Sequence, residues 1–291
     1  MVSAEKGEGR AAAGIHLATN EYPWSVFYQR DGRDFASSLE AVLGEVAASG
    51  IQGYEPLAVS PAQVDSMAPL LRKHGLEMRS LYVNSFLHEA DQVEKSVSQV
   101  LAIAGRAVEI GTRIIVTNPS PLRWGGTENK TDDQLRVQAH SLENLGKRLR
   151  TMGLKLAYHN HHIELRAAAR EFHHMMAGTD PECVTLCLDA HWIYRGSGNS
   201  SVALFDILKL YGRRVSELHI RQSRNHIWTE VFGDGDIDYP ALVQYLVSLG
   251  VKPHLVLEQA VEKESPKTLD ALEAHRRSCE SARRIFAPFS G

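Results

Sequence analysis

The sequence predicts an α/β protein folded as a single-domain (β/α)8 TIM barrel. Apolar, strand-like runs recur eight times, a helix-length segment separates most neighbouring runs, and polar residues gather where the runs end. Barrel loops leave the sheet at those C-terminal strand ends and build the site there. A doubly wound open sheet is the rival topology, but it would collect a ligand at one switch point, not on four consecutive strand ends. The 291 residues suit one barrel of roughly 250 residues with some excess. No linker breaks the rhythm, so the barrel is expected over residues 14–291, behind a small, polar, flexible tail at 1–13.

Taken in order, Ile15-His16-Leu17 reads as the first strand. Asp34 to Ser49 follows as a helix, with Phe35, Leu39, Val42, Leu43 and Val46 near helical period and Gly50 closing it. Gly50 to Glu55 is the second strand. Ser60-Pro61 then starts a helix, the serine supplying an acceptor and the proline a preset φ. Met78 to Tyr82 and Arg113 to Asn118 are strands three and four. The helices Asp91 to Ile110 and Thr131 to Met152 stop at Gly111 and Gly153, which relieve the left-handed terminal turn. Pro119 to Lys130 is long for a βα loop and is expected to fold over the barrel mouth.

The fifth strand begins at Leu154 and opens through Tyr158-His159-Asn160-His161-His162 to Glu164. Val184 to Leu188 ends in Asp189, Val215 to Leu218 in His219, and Leu255 to Leu257 in Glu258, at intervals of 30, 30 and 39 residues. Between the last two, Gly233 to Asp238 forms a turn whose final aspartate caps a helix from Tyr239 to Leu249.

A hydrophobic share of 43% and a charged share of 23% describe a globular chain, and no apolar run approaches the ~20 residues of a spanning helix. The net charge of −3, with signs interspersed, leaves no basic stripe for nucleic acid. Cys183, Cys187 and Cys279 are few and odd in number, and residues 1–13 hold no apolar export core, so a cytoplasmic setting is expected. Four residues of strand separate Cys183 from Cys187 by about 13 Å, too far for a disulfide. Both are read as core filler.

His159, Asp189, His219 and Glu258 are the expected metal ligands. Four clustered titratable groups at equivalent strand ends are costly without a cation or a paired network. Mixed nitrogen and oxygen donors favour a transition metal, with Mn first and Co, Zn, Fe or Mg as alternatives. Glu258, His161 and Glu164 are the candidate acid–base groups, the last two alternatively orienting the ligands. Trp192 is a candidate to stack on a sugar ring or to cap the core. Arg221 and Arg224 are read as anion-binding or surface residues, while Glu55 and Asn118, on strands two and four, are further candidates to contact the substrate at the same mouth. His162, His173 and His174 are expected to serve surface or packing roles. Asp234, Asp236 and Asp238 mimic a calcium loop, but the twelfth position is Tyr245. Asn129 breaks the P-loop pattern before Lys130-Thr131, and neither a nucleophile elbow nor a dinucleotide fingerprint occurs.

The Tyr158-to-His161 run, Leu188-Asp189, His219, Leu257-Glu258-Gln259 and the Gly233-to-Asp238 turn together resemble the xylose isomerase-like TIM barrels. That superfamily includes sugar phosphate isomerases and epimerases, inosose dehydratase and the endonuclease IV type of AP endonuclease. The resemblance covers essentially the whole chain after the tail. It implies a divalent cation that holds a substrate carbonyl and neighbouring hydroxyl, and a base that removes the α-proton to give an enediolate. The implied activity is a metal-dependent isomerase or epimerase acting on a sugar or keto-sugar, without nucleic-acid or membrane partners and with a homo-oligomer left open. Three departures favour the alternative of a keto-sugar dehydratase, lyase or hydratase: His159 stands where glutamate is usual, Trp192 where histidine is usual, and Gln222 alters a His-x-x-Asp pattern. A non-catalytic sugar-binding barrel and an AP endonuclease are the remaining readings.

Overall fold

The computed structural model describes residues 14–290, so the expected tail lies outside the described residues. Eight parallel strands form the barrel: β1 (Leu17–Asn20), β2 (Gly53–Glu55), β3 (Ser80–Tyr82), β4 (Ile114–Thr117), β5 (Lys155–His159), β6 (Val184–Asp189), β7 (Val215–Ile220) and β8 (His254–Leu257). They hydrogen-bond in the order β2-β1-β8-β7-β6-β5-β4-β3. Single bridges Gly53–Glu77 and Leu57–Tyr82 join β2 to β3, with Tyr54 N donating to the Glu77 carbonyl at 2.9 Å. The barrel is thereby nearly closed.

All eight expected strands are present, and the first one moves. Pairing with β8 starts at Leu17–Leu255, so β1 runs on to Asn20 and Ile15-His16 fall before it. The expected helix Asp34 to Ser49 divides into a 3-10 turn at Ala36–Ser38 and an α-helix at Leu39–Ala48. Between β1 and this pair stands a helix that sequence reading missed, Glu21–Arg30, which buries Trp24, Phe27 and Tyr28. The caps are as predicted. Ser60 Oγ accepts from Gln63 N, and Thr131 forms a reciprocal capping box with Gln134. A short helix, Ala190–Gly196, starts at β6 with Asp189 as its N-cap, and a two-stranded hairpin, Ser223–Arg224 with Ile227–Trp228, follows β7.

The long β4 loop is closed at its base. Lys130, 2% exposed, donates from Nζ to the Pro119 carbonyl at 3.2 Å and to Glu171 Oε1 at 2.6 Å. Burial of that ammonium is compensated by a carboxylate and a backbone acceptor, so the two ends of the loop are held together. Among the described residues no helix is long and apolar enough to cross a membrane.

The larger apolar core lies outside the sheet, between strands and helices. Within it His275, on the helix Ala271–Ile285, stacks on Trp24 at 4.0 Å between ring centroids and hydrogen-bonds through Nδ1 to the Ala271 carbonyl at 2.7 Å. Burial pulls its pKa down to about 4, partly opposed by that hydrogen bond. The folded chain therefore favours the neutral imidazole. Its contribution is whole above the unfolded pKa of about 6.5 and is lost as pH falls toward 4, about 3 kcal/mol in all. Urea unfolding at several pH values should show a flatter pH dependence between these limits for His275→Phe than for wild type. Parallel curves would remove His275 from the account.

Candidate metal centre

Parallel pairing aligns the functional strand ends: His159 opposite Cys187, Asp189 opposite His219, and Val256 opposite His219. One potential ligand atom from each of His159, Asp189, His219 and Glu258 lies within 4.8 Å of the others, and all four residues are buried. His219 Nδ1 is 2.6 Å from Glu258 Oε2, which also accepts from Asn20 Nδ2 at 2.8 Å. The other Glu258 oxygen pairs with the Arg221 guanidinium, whose Nε donates to the Glu258 carbonyl at 2.9 Å. Asp189 Oδ1 accepts from Trp192 N at 2.8 Å, whereas Oδ2 is buried without a protein partner.

That orphaned carboxylate oxygen, among two imidazoles and a second carboxylate, fits a divalent cation by the chemistry of the donor set. Burial pushes the Asp189 pKa up to about 7, against the pull of Arg221. Burial and the neighbouring His161 and His219 hold His159 well below its ordinary range, leaving a neutral imidazole with a lone pair to offer. For Glu258, burial raises the pKa, but Arg221 and His219 outweigh it and keep the carboxylate ionised.

A polar layer supports the cluster from below; it contains the expected Glu55 together with Glu217 and Ser80, which sequence reading missed. His219 Nε2 lies 3.0 Å from Glu217 Oε1 and 3.2 Å from Glu55 Oε1, and Ser80 Oγ donates to the other Glu55 oxygen at 2.8 Å. Burial and then Glu55 push the Glu217 pKa up to about 8. An acidic residue with the strand parity of His219, inside an otherwise apolar run, was the available signal. Cys187 does pack with Ile114, Val116 and Ala157 as filler, but its thiol also lies 3.6 Å from both His159 Nδ1 and Glu217 Oε1.

Above the cluster opens a cavity of about 360 Å³, with His159, Glu55 and Glu258 lining it along with Tyr22, Tyr82, Trp124 and Trp192. The β4 loop folds over the mouth as expected and sets Trp124 edge-on to His161, 5.2 Å between centroids.

A family model described as xylose isomerase-like TIM barrel matches residues 43–283. The chain belongs to the xylose isomerase-like TIM barrel family. Among curated relatives, an inosose dehydratase of Clostridium botulinum is 23% identical over 266 residues, covering 81% of this chain and 86% of that protein. One from Bacillus licheniformis is 24% identical over 268 residues, covering 81% and 85%. Solved structures of similar fold include a sugar phosphate isomerase/epimerase from Parabacteroides distasonis, with a TM-score of 0.73, 17% identity and 100% of both chains covered. An L-ribulose 3-epimerase superposes with a TM-score of 0.69 at 17% identity, covering 94% of this chain and 95% of its own.

In this xylose isomerase-like barrel the other expected site residues fall into two groups. His161 and Trp192 line the cavity. The buried Nδ1 of His161 has no protein partner, and burial pulls its pKa down to about 4. His162, expected at the surface or in packing, is exposed but also lines the mouth, 5.2 Å from Trp192. Asn20 and Glu21 join them from the end of β1, which the sequence reading placed too early. Glu164, by contrast, does not line the cavity. Its Oε1 accepts from Asn118 Nδ2 at 3.0 Å and its Oε2 from His161 N at 2.7 Å. Asn118 also donates to the His159 carbonyl at 3.0 Å, so both residues brace the β5 turn from behind. Arg221 sits behind Glu258, its guanidinium 4.2 Å from the Trp228 ring and 5.0 Å from Trp192. Arg224 is exposed on the hairpin and donates to the Asp234 carbonyl, away from the cavity. Asp236, part of the calcium-like spacing, instead accepts from Ser223 Oγ and the Asn225 and His226 amides.

The brace has a measurable cost. Glu164→Ala strands one N–H of the Asn118 amide and the His161 N–H in a buried site, so it should destabilise the fold by about 2–4 kcal/mol. His161→Ala removes a side chain with no hydrogen bond and should cost less than half as much. Chemical denaturation of the two variants checks the ranking, and equal losses would contradict it.

Proposed function

We propose that this chain is a divalent-metal-dependent enzyme that removes a proton next to the carbonyl of a small keto-sugar, and that the outcome is loss of water from the neighbouring carbon. The observation that carries the reading is the convergence of His159, Asp189, His219 and Glu258 beside an aromatic-walled cavity that His159 and Glu258 line. A divalent ion, Mn by first preference, held by those four residues would supply Lewis-acid polarisation of a carbonyl oxygen.

The chain's own residues divide the remaining work. Trp124, Trp192 and Tyr22 offer flat faces to a sugar ring and exclude water from it. His161, neutral at physiological pH, borders the same space and has an unpartnered ring nitrogen, which qualifies it as the base. Both Glu258 oxygens are already engaged, one by Arg221 and the other by His219 and Asn20, so Glu258 serves as a ligand and not as the base. Glu21 lines the cavity with a pKa raised by burial, against a backbone hydrogen bond from Leu57, and is the candidate acid for a departing hydroxyl. Elimination is favoured over epimerisation because His159 replaces a carboxylate that could work the second face. The curated relatives named inosose dehydratase point the same way.

Protein purified without chelator should carry about one divalent ion per chain by elemental analysis. Asp189→Asn should lose most of it while circular dichroism stays native. Absence of metal, together with a melting temperature indifferent to added Mn or Zn, would sink the proposal.

With inosose and a panel of keto-hexoses in D2O, the metal-loaded protein should exchange the α-hydrogen and give a product lighter by one water in mass spectrometry. His161→Ala should slow exchange by roughly 10²-fold with bound metal unchanged. An isobaric product would replace elimination with epimerisation or isomerisation, and a hydrogen carried intact between carbons would defeat the proton-transfer step.

A further inference from the structure

At the opposite pole of the barrel, where strands begin, lies a second cavity of about 340 Å³. His16, Arg79, Arg113, Lys252 and His254 form its polar wall, with Phe289 among the apolar side chains that complete it. Arg113 immediately precedes β4 and Asn118 follows it, so a strand length of about 13 Å separates this cavity from the mouth.

The wall is unbalanced in charge. Three permanent cations line it, all on exposed residues and one of them, Arg79, already paired with Glu77, and no carboxylate lines it among the described residues. Glu77 approaches from the side, pairing with Arg79 at 2.6 Å and standing 3.6 Å from His16 Nε2. Arg113 and Lys252 enter no ion pair among the described residues. Arg113 Nη1 donates to the Thr112 carbonyl at 2.8 Å, which fixes the guanidinium and leaves its other donors available.

Two half-buried imidazoles complete the wall, with ring centroids 5.5 Å apart. Both His16 ring nitrogens and His254 Nε2 are buried without a hydrogen-bond partner. Glycine at position 53 makes room for this arrangement, since a Cβ there would stand 2.7 Å from His16 Cε1. Burial, then Arg79, draws the His16 pKa down to about 4. Burial, then His16, draws that of His254 down to about 3. The site resists further positive charge.

We infer that this cavity binds a small dianion carrying a phosphate group, held by Arg79, Arg113 and Lys252 with the two imidazoles as hydrogen-bonding partners. A guanidinium presents its donors in a planar fork that matches phosphate oxygens, and an ammonium adds a point charge. The volume admits a phosphate with a short organic substituent against Phe289. Inorganic phosphate and a phosphate monoester share the recognised group, and the experiment separates them. The inference stands apart from the proposed reaction.

The full chain is titrated with inorganic phosphate and, separately, glycerol 3-phosphate, with ionic strength held constant by chloride and unfolding followed by fluorescence. Saturable stabilisation is expected with one or both probes, and the better probe identifies the free anion or the ester. The double variant Arg113→Gln with Lys252→Gln should weaken binding by about tenfold or more, whereas Asp189→Asn should leave it unchanged. If the double variant does not fold, Lys252→Gln alone, at an exposed position, should still weaken binding by about threefold. Stabilisation that never saturates, or that persists undiminished in the folded charge variants, would overturn the inference.

Discussion

Charge balance around one buried imidazole governs the upper half of the barrel. His219 meets Glu258 through Nδ1 and both Glu55 and Glu217 through Nε2, so the ring is held between carboxylates on two levels. Burial alone would lower its pKa; Cys187, Glu55 and Glu217 outweigh burial and raise it. A charged imidazole partly neutralises its surroundings when no metal is bound, whereas a metal ligand must present a free lone pair. Were a cation bound there, His219 would have to give up its proton and the cation would take over part of that balance, with Arg221 still anchoring Glu258.

This arrangement changes what the barrel interior does. Such barrels are ordinarily filled by layers of branched apolar side chains. Here the buried apolar cluster of Ile114, Val116, Ala157 and Cys187 is small, while Glu55, Glu217 and His219 occupy the centre. Stability must come mainly from the outer shell, where Leu142, Leu145 and Leu149 of one helix and Phe172 and Met175 of the next belong to one continuous core. The two functions of the fold are thus separated in space: an apolar jacket holds the sheet, and the sheet holds the polar centre.

The eight strands were legible because burial on both faces demands near-continuous apolar runs, as in Val184 to Leu188. The clustering of His159, Asp189, His219 and Glu258 was legible because each terminates such a run. What lay hidden depended on three-dimensional partners. Glu164 reads as a free acid in sequence, but Asn118, 46 positions away, and the His161 amide claim its oxygens. Arg221 resembles a substrate clamp until the indole of Trp228 and the Glu258 carboxylate enclose it. Asn20 escaped because β1 was ended at Leu17, and the helix Glu21–Arg30 because Pro23 interrupts its first turn.

Lys130 bonded to the Pro119 carbonyl and to Glu171 has a consequence for how the mouth can vary. The entropy of closing a loop grows only logarithmically with its length, and here the closing contact is supplied by the base of the loop itself. Residues 120–129 can lengthen, shorten or change character while strand β4 and the helix Asp132–Thr151 keep their positions. Trp124 lies within that replaceable stretch, whereas His159, Asp189, His219 and Glu258 lie at rigid strand ends. Under the proposed function, substrate preference and chemistry would be carried on separate parts of the chain, and a lineage could retune the first without disturbing the second.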